Sequence, residues 1–321
     1  MTAPLLVVGH GTRDAAGVAG FLDFVKRLQG RCEADVDGGF IELSRPPLTD
    51  AVTGLWERGH RHVVALPLVL VAAGHGKGDV PGALNREQER RPGLTYRYGR
   101  PLGPHPTLLS LVEQRIDEAL VDGEGTSAPR EGTTVVLVGR GSTDPDANAE
   151  IAKVARLLWE GRGYDGVETS FVSLAPPGVP AALDRARALG ARRVVVAPYF
   201  LFAGVLPDRV TDQSRAWAAA NPDVDVRVAP VIGDCDGLAD LVLERYAEAI
   251  AGDIRMNCDT CVYRIAMPGF EHKVGEPQTP HDHPDDQAGP HGHGHGHEHG
   301  HGHGHGHGHV PALDAHGHVP A

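Results

Sequence analysis

Short apolar runs alternate with stretches of helical spacing along most of the chain, and the whole series occurs twice. In the first pass residues 5–8, 40–43, 63–70 and 94–98 read as strands, bounded by glycine- and proline-containing turns. Apolar residues at helical spacing occupy 18–28, 48–58 and the segment up to 120, with a further helix between the third and fourth strands. In the second pass the strands fall at 135–138, 169–174, 194–201 and 225–228, and the helices at 147–158, 179–189 and up to 250. The strands are apolar throughout rather than alternating, and helices separate them. That pattern predicts parallel sheets covered by helices on both faces.

The two passes keep register. LLVVGHGTRD at 5–14 answers VVLVGRGSTD at 135–144, and FIELSRPPL at 40–48 answers FVSLAPPGV at 171–179. RGHRHVVALPLVL at 58–70 answers LGARRVVVAPYFL at 189–201. The offset stays at 130 or 131 through to the last helix, which chance similarity would not sustain, so the chain is a duplication. The predicted organisation is an α/β half at 1–121, a Gly/Pro-rich linker at 122–132 and a second α/β half at 133–252. A segment with Cys-x-x-C follows at 253–270, and a disordered His-rich tail at 271–321.

In open parallel sheets ligands sit beyond the carboxyl ends of the strands. His10 lies between two glycines after the first strand, Glu42 ends the second, and His75 follows the third in AAGHGKGDVP. Two imidazoles and a carboxylate converging on one rim suit Co²⁺, Fe²⁺, Ni²⁺ or Zn²⁺, and they can also move protons near neutral pH. A histidine that merely ends up exposed in a turn is the plain alternative for His10 alone; the company of Glu42 and His75 weighs against it. The second half is an internal control. Its equivalents are Arg140, Ser173 and Val205, so the turn glycines persist where the ligands do not. Arg140 offers a cation for an anionic substrate. His60 and His62 read as solvated loop residues, and His105 as a local turn residue. Neither half matches a dinucleotide or P-loop pattern, so no nucleotide is expected.

The composition narrows the field. Of 321 residues, 41% are hydrophobic and only 5% aromatic, enough for a core built on Ala, Val and Leu. The net charge is −12, half of it in the tail, and no basic stripe is present, so nucleic acid is not expected as a partner. No apolar run approaches the roughly 20 residues of a membrane helix. The N-terminus lacks the basic region and cleavage site of a secretory signal, and four cysteines are too few for a disulfide framework, so a cytoplasmic protein is expected.

GHGTRD after the first strand, F-x-E-L-S-x-P-P after the second and A-x-G-H-x-x-x-D-V-P after the third together resemble the class II tetrapyrrole chelatases, in particular the long-form sirohydrochlorin cobaltochelatases of cobalamin biosynthesis. The resemblance covers residues 1–265. It implies ATP-independent insertion of a divalent metal into sirohydrochlorin, with His10 and His75 as the catalytic and metal-binding pair and Glu42 assisting. Cobalt is the expected metal and Fe²⁺, for siroheme, the alternative. Sirohydrochlorin carries several carboxylates, for which Arg13, Arg45, Lys77, Arg140 and Arg209 are candidate partners, although singly each reads as well as an ordinary surface cation.

Met256, Cys258 and Cys261 match the M-x-C-x-x-C that long-form members associate with an iron–sulfur cluster. A [4Fe–4S] cluster takes four cysteines, so two chains would share it in a homodimer. A redox-active pair or two reduced thiols stay open on spacing alone. The tail holds 15 of the 20 histidines. Its centre places His291, His293, His295, His297, His299, His301, His303, His305, His307 and His309 at every second position, a loose store for Co²⁺ or Ni²⁺. A cloning tag is the weaker reading because the repeat is irregular and embedded. A rival from another class is a metal-storage or delivery protein acting through this tail, and a third reading is a binding module without catalysis.

Overall fold

In the computed structural model, residues 2–252 and 271–275 are described. Leu5 and Val7 of the first strand face one core and Leu6 and Val8 another, as the two-residue period of a strand requires. This strand, β1 (Leu5–Gly9), is therefore buried on both faces. It pairs in parallel with β2 (Val36–Phe40) on one side and β3 (His62–Pro67) on the other, and β3 pairs with β4 (Thr95–Tyr98). The order is β2-β1-β3-β4, and the second half repeats it as β6-β5-β7-β8. Those strands are β5 (Thr133–Gly139), β6 (Gly166–Phe171), β7 (Arg193–Pro198) and β8 (Asp225–Val228). The paired parallel sheets are the α/β architecture the pattern predicts.

Four predicted strands end early, the second and third of each half. The second expected strand at 40–43 lies instead at Val36–Phe40, four residues upstream. Its Gly38 and Gly39 hide it from an apolar scan. A Cβ on Gly38 would come within 2.6 Å of Val25, and one on Gly39 within 2.8 Å of the Leu48 backbone, so the glycines let two helices approach the strand. The run at 63–70 leaves the sheet after Pro67, whose missing N–H suits a strand end.

The helices are α1 (Ala15–Arg31), α2 (Leu48–Glu57), α3 (Val80–Arg90) and α4 (Pro106–Leu120), then α5 (Pro145–Trp159), α6 (Val179–Ala188), α7 (Val205–Ala220) and α8 (Asp236–Ala251). Helix α1 buries Phe21, Phe24, Val25 and Leu28, one face at i, i+3, i+4 and i+7. Asp14 caps it by accepting from Gly17 N, and Asp144 caps α5 in the same way from Asp146 N. The repeated aspartate of the glycine motif is thus a helix cap in both halves.

Helices α2 and α3 cover the outer face of the first sheet, and α6 and α7 that of the second. Between the sheets lies one continuous core fed by α1, α4, α5 and α8. In this middle layer the last helices are exchanged: α4 packs on β7 and β8, and α8 on β3 and β4. Reciprocal arginines secure the exchange. Arg227 of β8 donates to Leu120 O at the end of α4 (2.7 Å), and Arg97 of β4 donates to Ala249 O (3.3 Å) and Ile250 O at the end of α8. Arg115 of α4 donates to Ile232 O (2.6 Å), and its equivalent Arg245 of α8 to Leu102 O (3.2 Å). Each pair is related by the 130-residue offset.

Candidate active site

The chain leaves β1 toward β2 and returns across it to β3, so the connections after β1 and β3 diverge and open a crevice at the carboxyl edge of the sheet. His10 follows β1 directly. His75 opens a π-helical turn, His75–Asp79, that leads into α3, a rare geometry that recurs at functional sites. Glu42 lies two residues past β2, in the loop rather than on the strand.

Steric fit sets the position of Glu42. Gly11 has φ +112°, and a Cβ there would sit 1.9 Å from the Glu42 carbonyl oxygen. The glycine after His10 therefore exists to let the second loop lie on the first. Glu42 N donates to His10 O (3.1 Å), Thr12 N donates to Ser44 Oγ (2.8 Å), and Ser44 Oγ donates back to Thr12 O. Ser44 N donates to Glu42 O (2.7 Å) around Leu43 at φ +60°, a γ-turn of the strained positive-φ kind. These bonds bring Glu42 Oε1 to 3.3 Å from His10 Nε2. The second half builds the same loops: Gly141 meets Ser173 O, and Leu174 also has φ +60°.

The two rims face each other. Arg140, the counterpart of His10, places Nη1 3.5 Å from His10 Nε2. Its N–H points at that nitrogen productively when the imidazole carries its proton on Nδ1. A histidine, a carboxylate and a guanidinium thus meet where the two halves face each other.

The other predicted residues are spread more widely. Arg45 is exposed and, with Glu42 and Leu43, lines a shallow pocket of about 400 Å³. Arg13 is exposed beside the first loop, and Arg209 is half-buried on α7. Lys77 differs from the expectation of an open rim cation. Its side chain is 9% exposed, and its ammonium donates to Asp144 Oδ2 (2.7 Å) and Asp146 Oδ2 (2.9 Å), carboxylates that are 3% and 7% exposed. Burial alone pushes an ammonium's pKa down, but the two carboxylates outweigh it and hold Lys77 above the ordinary 10.5. Neither aspartate is among the residues the sequence marks as site candidates. Asp144 was visible as part of the repeated motif, whereas nothing local marks Asp146. The Leu43 and Leu174 turns were also missed, since no residue type signals a positive φ at leucine.

His60 pairs with Asp35 (2.8 Å), His62 with Thr95, and His105 caps α4 by accepting from Thr107 N (3.2 Å), all local structural roles. The side chain of His75, Cys258 and Cys261, and the histidines from His291 to His309 lie outside the described residues. Among the described residues no group of three His, Cys, Asp or Glu side chains is able to hold a metal ion; His10 and Glu42 are the part of the predicted ligand set that is described. No helix among the described residues is long and apolar enough to cross a membrane.

The CbiX family model matches residues 4–119 and again residues 134–249. The chain is 36% identical to a sirohydrochlorin cobaltochelatase of Priestia megaterium, over 84% of this chain and 86% of that protein. It is 29% identical to a sirohydrochlorin ferrochelatase of the same organism, over 74% of this chain and 87% of the relative. Among solved structures it is similar to SirB from Bacillus subtilis with Fe³⁺, at a TM-score of 0.69 and 26% identity, covering 79% of this chain and 97% of that one.

Proposed function

The chain belongs to the CbiX family, once in each half, and from that premise we propose that it inserts Co²⁺ into sirohydrochlorin without ATP, a lyase-class metal chelatase. The observation that carries the site assignment is the meeting of His10 with Glu42 at 3.3 Å and Arg140 at 3.5 Å where the two carboxyl rims face each other.

Insertion requires that the metal shed ligands and that two pyrrole N–H protons leave the macrocycle. In our reading His10, His75 and Glu42 take the incoming ion as substrate. The imidazoles then accept the pyrrole protons, a role suited to groups that titrate near neutrality. Glu42, against Nε2, steadies the imidazolium that forms. Arg140, and the exposed Arg13 and Arg45, with Arg209 on the second half, meet the carboxylates of the macrocycle. Lys77 is already committed to two aspartates and drops out of that set. Fe²⁺ insertion is the second reading, favoured by the ferrochelatase relative over nearly the same span; His, Glu and Arg do not by themselves choose between the two ions.

Further parts of the reading rest on the sequence. A [4Fe–4S] cluster would take Cys258 and Cys261 from each of two chains, and the insertion is routed through none of it. The histidine tail would hold metal loosely beside the enzyme, and the cytoplasm is the expected compartment. The test is an anaerobic absorbance assay of the full chain with sirohydrochlorin and Co²⁺ or Fe²⁺, beside a His10→Ala/His75→Ala control. Rapid conversion that the control loses is expected, faster with Co²⁺. Conversion no faster than metal and macrocycle alone would overturn the enzyme reading in favour of metal storage through the tail.

A further inference from the structure

The duplication that identifies the site also isolates what is special about Lys77. Both halves send a long connection from their third strand across to the other half. In the second half that contact is made by backbone: Ala203 O lies against Gly17 of α1, so close that a Cβ on the glycine would come within 2.5 Å. In the first half it is made by charge, Lys77 reaching Asp144 and Asp146 at the start of α5. At the equivalent positions the second half has Pro207 in place of Lys77, and α1 has Ala16 in place of Asp146. The reciprocal contact therefore lacks its cation, replaced by Pro207 on the connection that carries no histidine, and one of its two carboxylates, replaced by Ala16 on the facing helix.

The tether acts on the π-helical turn His75–Asp79 itself. Within it, Gly76 O accepts from Tyr98 Oη of β4 (2.7 Å), which holds the turn to its own sheet. The next residue is Lys77, which holds it to the other half. The ammonium and its two carboxylates are each less than a tenth exposed, so few alternative partners reach them and breaking the link leaves a buried charge unpaired.

We infer that Lys77 is a positioning residue for metal insertion: bonded to Asp144 and Asp146, it fixes the His75-bearing turn against the second half, which serves the reaction as a scaffold after losing its own ligands. This rests on the chelatase reading of the site. It explains why an acidic pair stands at the start of α5 and not of α1.

The experiment uses the full chain with Lys77→Met, Lys77→Arg and Asp146→Asn. Steady-state insertion is measured with sirohydrochlorin and Co²⁺, and amide hydrogen exchange is followed over residues 73–79 and 9–14. A displaced turn is expected to lower kcat about tenfold or more in Lys77→Met, with KM for sirohydrochlorin changed less than about threefold. Lys77→Arg, which keeps the charge, is expected to recover part of the loss. Exchange should quicken over 73–79 and not over 9–14. Asp146→Asn leaves the cap Asp144 in place and should show the same pattern in smaller measure, which serves if Lys77→Met does not fold. A raised KM with kcat retained would mean that Lys77 binds a substrate carboxylate, and unchanged kcat and exchange would mean that the tether positions nothing; either overturns the inference. If the unaltered chain inserts neither metal, the chelatase reading fails by itself, and the exchange data still judge the tether.

Discussion

Gly11 carries more of the site than its lack of a side chain suggests. Its φ of +112° and the Glu42 carbonyl oxygen, which would lie 1.9 Å from a Cβ placed there, make it the contact on which the second loop rests. Gly11→Ala is expected to destabilise the chain by about 2 kcal/mol or more, because backbone strain of 1–3 kcal/mol is joined by a clash with backbone that cannot rotate away. The same change shifts Glu42 from His10, so insertion should fall beyond what the loss of folded protein explains. Thermal unfolding and activity per folded molecule check the two parts. Activity kept at the level of the folded fraction would show that Glu42 is held by other contacts. The positive-φ leucines Leu43 and Leu174 make the same point from the other side. They are 40% and 53% exposed, and they hold a strained conformation in both halves only because the surrounding loop bonds over-determine it.

At the scale of elements, the exchanged helices decide what the sheets pack against. The last carbonyls of α4 and α8 lie beyond the helical bonding pattern: Leu120 O accepts from Ala128 N (3.0 Å) and Ala249 O from Gly252 N (3.3 Å), and an arginine from the opposite sheet adds a donor to each. Arg97→Ala and Arg227→Ala are each expected to lower stability by about 1 kcal/mol, the usual net worth of such bonds at a partly exposed site. Urea denaturation monitored by far-UV circular dichroism measures it. A change below a few tenths of a kcal/mol would mean that apolar packing alone holds the exchanged helices. The shift of β2 upstream of its apolar run belongs to this scale too. Local composition favoured Phe40–Leu43, but Gly38 and Gly39 are needed under α1 and α2, and packing prevailed over propensity.

For the whole molecule, the exchange means that the repeat unit in sequence is not a unit in space. A polypeptide of residues 1–121 would leave β3 and β4 without α8 and would present the apolar face of α4 to water. It is expected to be unfolded or to dimerise by trading α4 with a second copy, and not to form a folded monomer. Gel filtration with light scattering and circular dichroism distinguishes these states, and a cooperatively folded monomer would contradict the shared core. The facing of His10 and Arg140 has the same origin: the two rims meet because the halves are clamped through their middle layer, so the degenerate half stays part of the site.

The sequence by itself determined the local and periodic features. Uninterrupted apolar strands between helical stretches dictate parallel sheets, and a register held over 130 residues dictates two copies of one unit. Loss of His, Glu and His from one copy points to the ligands of the other. Each of these depends on residue type and spacing along the chain, which is why they were legible. Tertiary structure alone decided which sheet each last helix covers, that Arg140 lies beside His10, and that Lys77 spends its charge on Asp144 and Asp146 rather than on a ligand. Those partners are 67 to 130 residues apart in sequence. No local pattern encodes such pairings, because they are fixed by how two buried faces close on a common core.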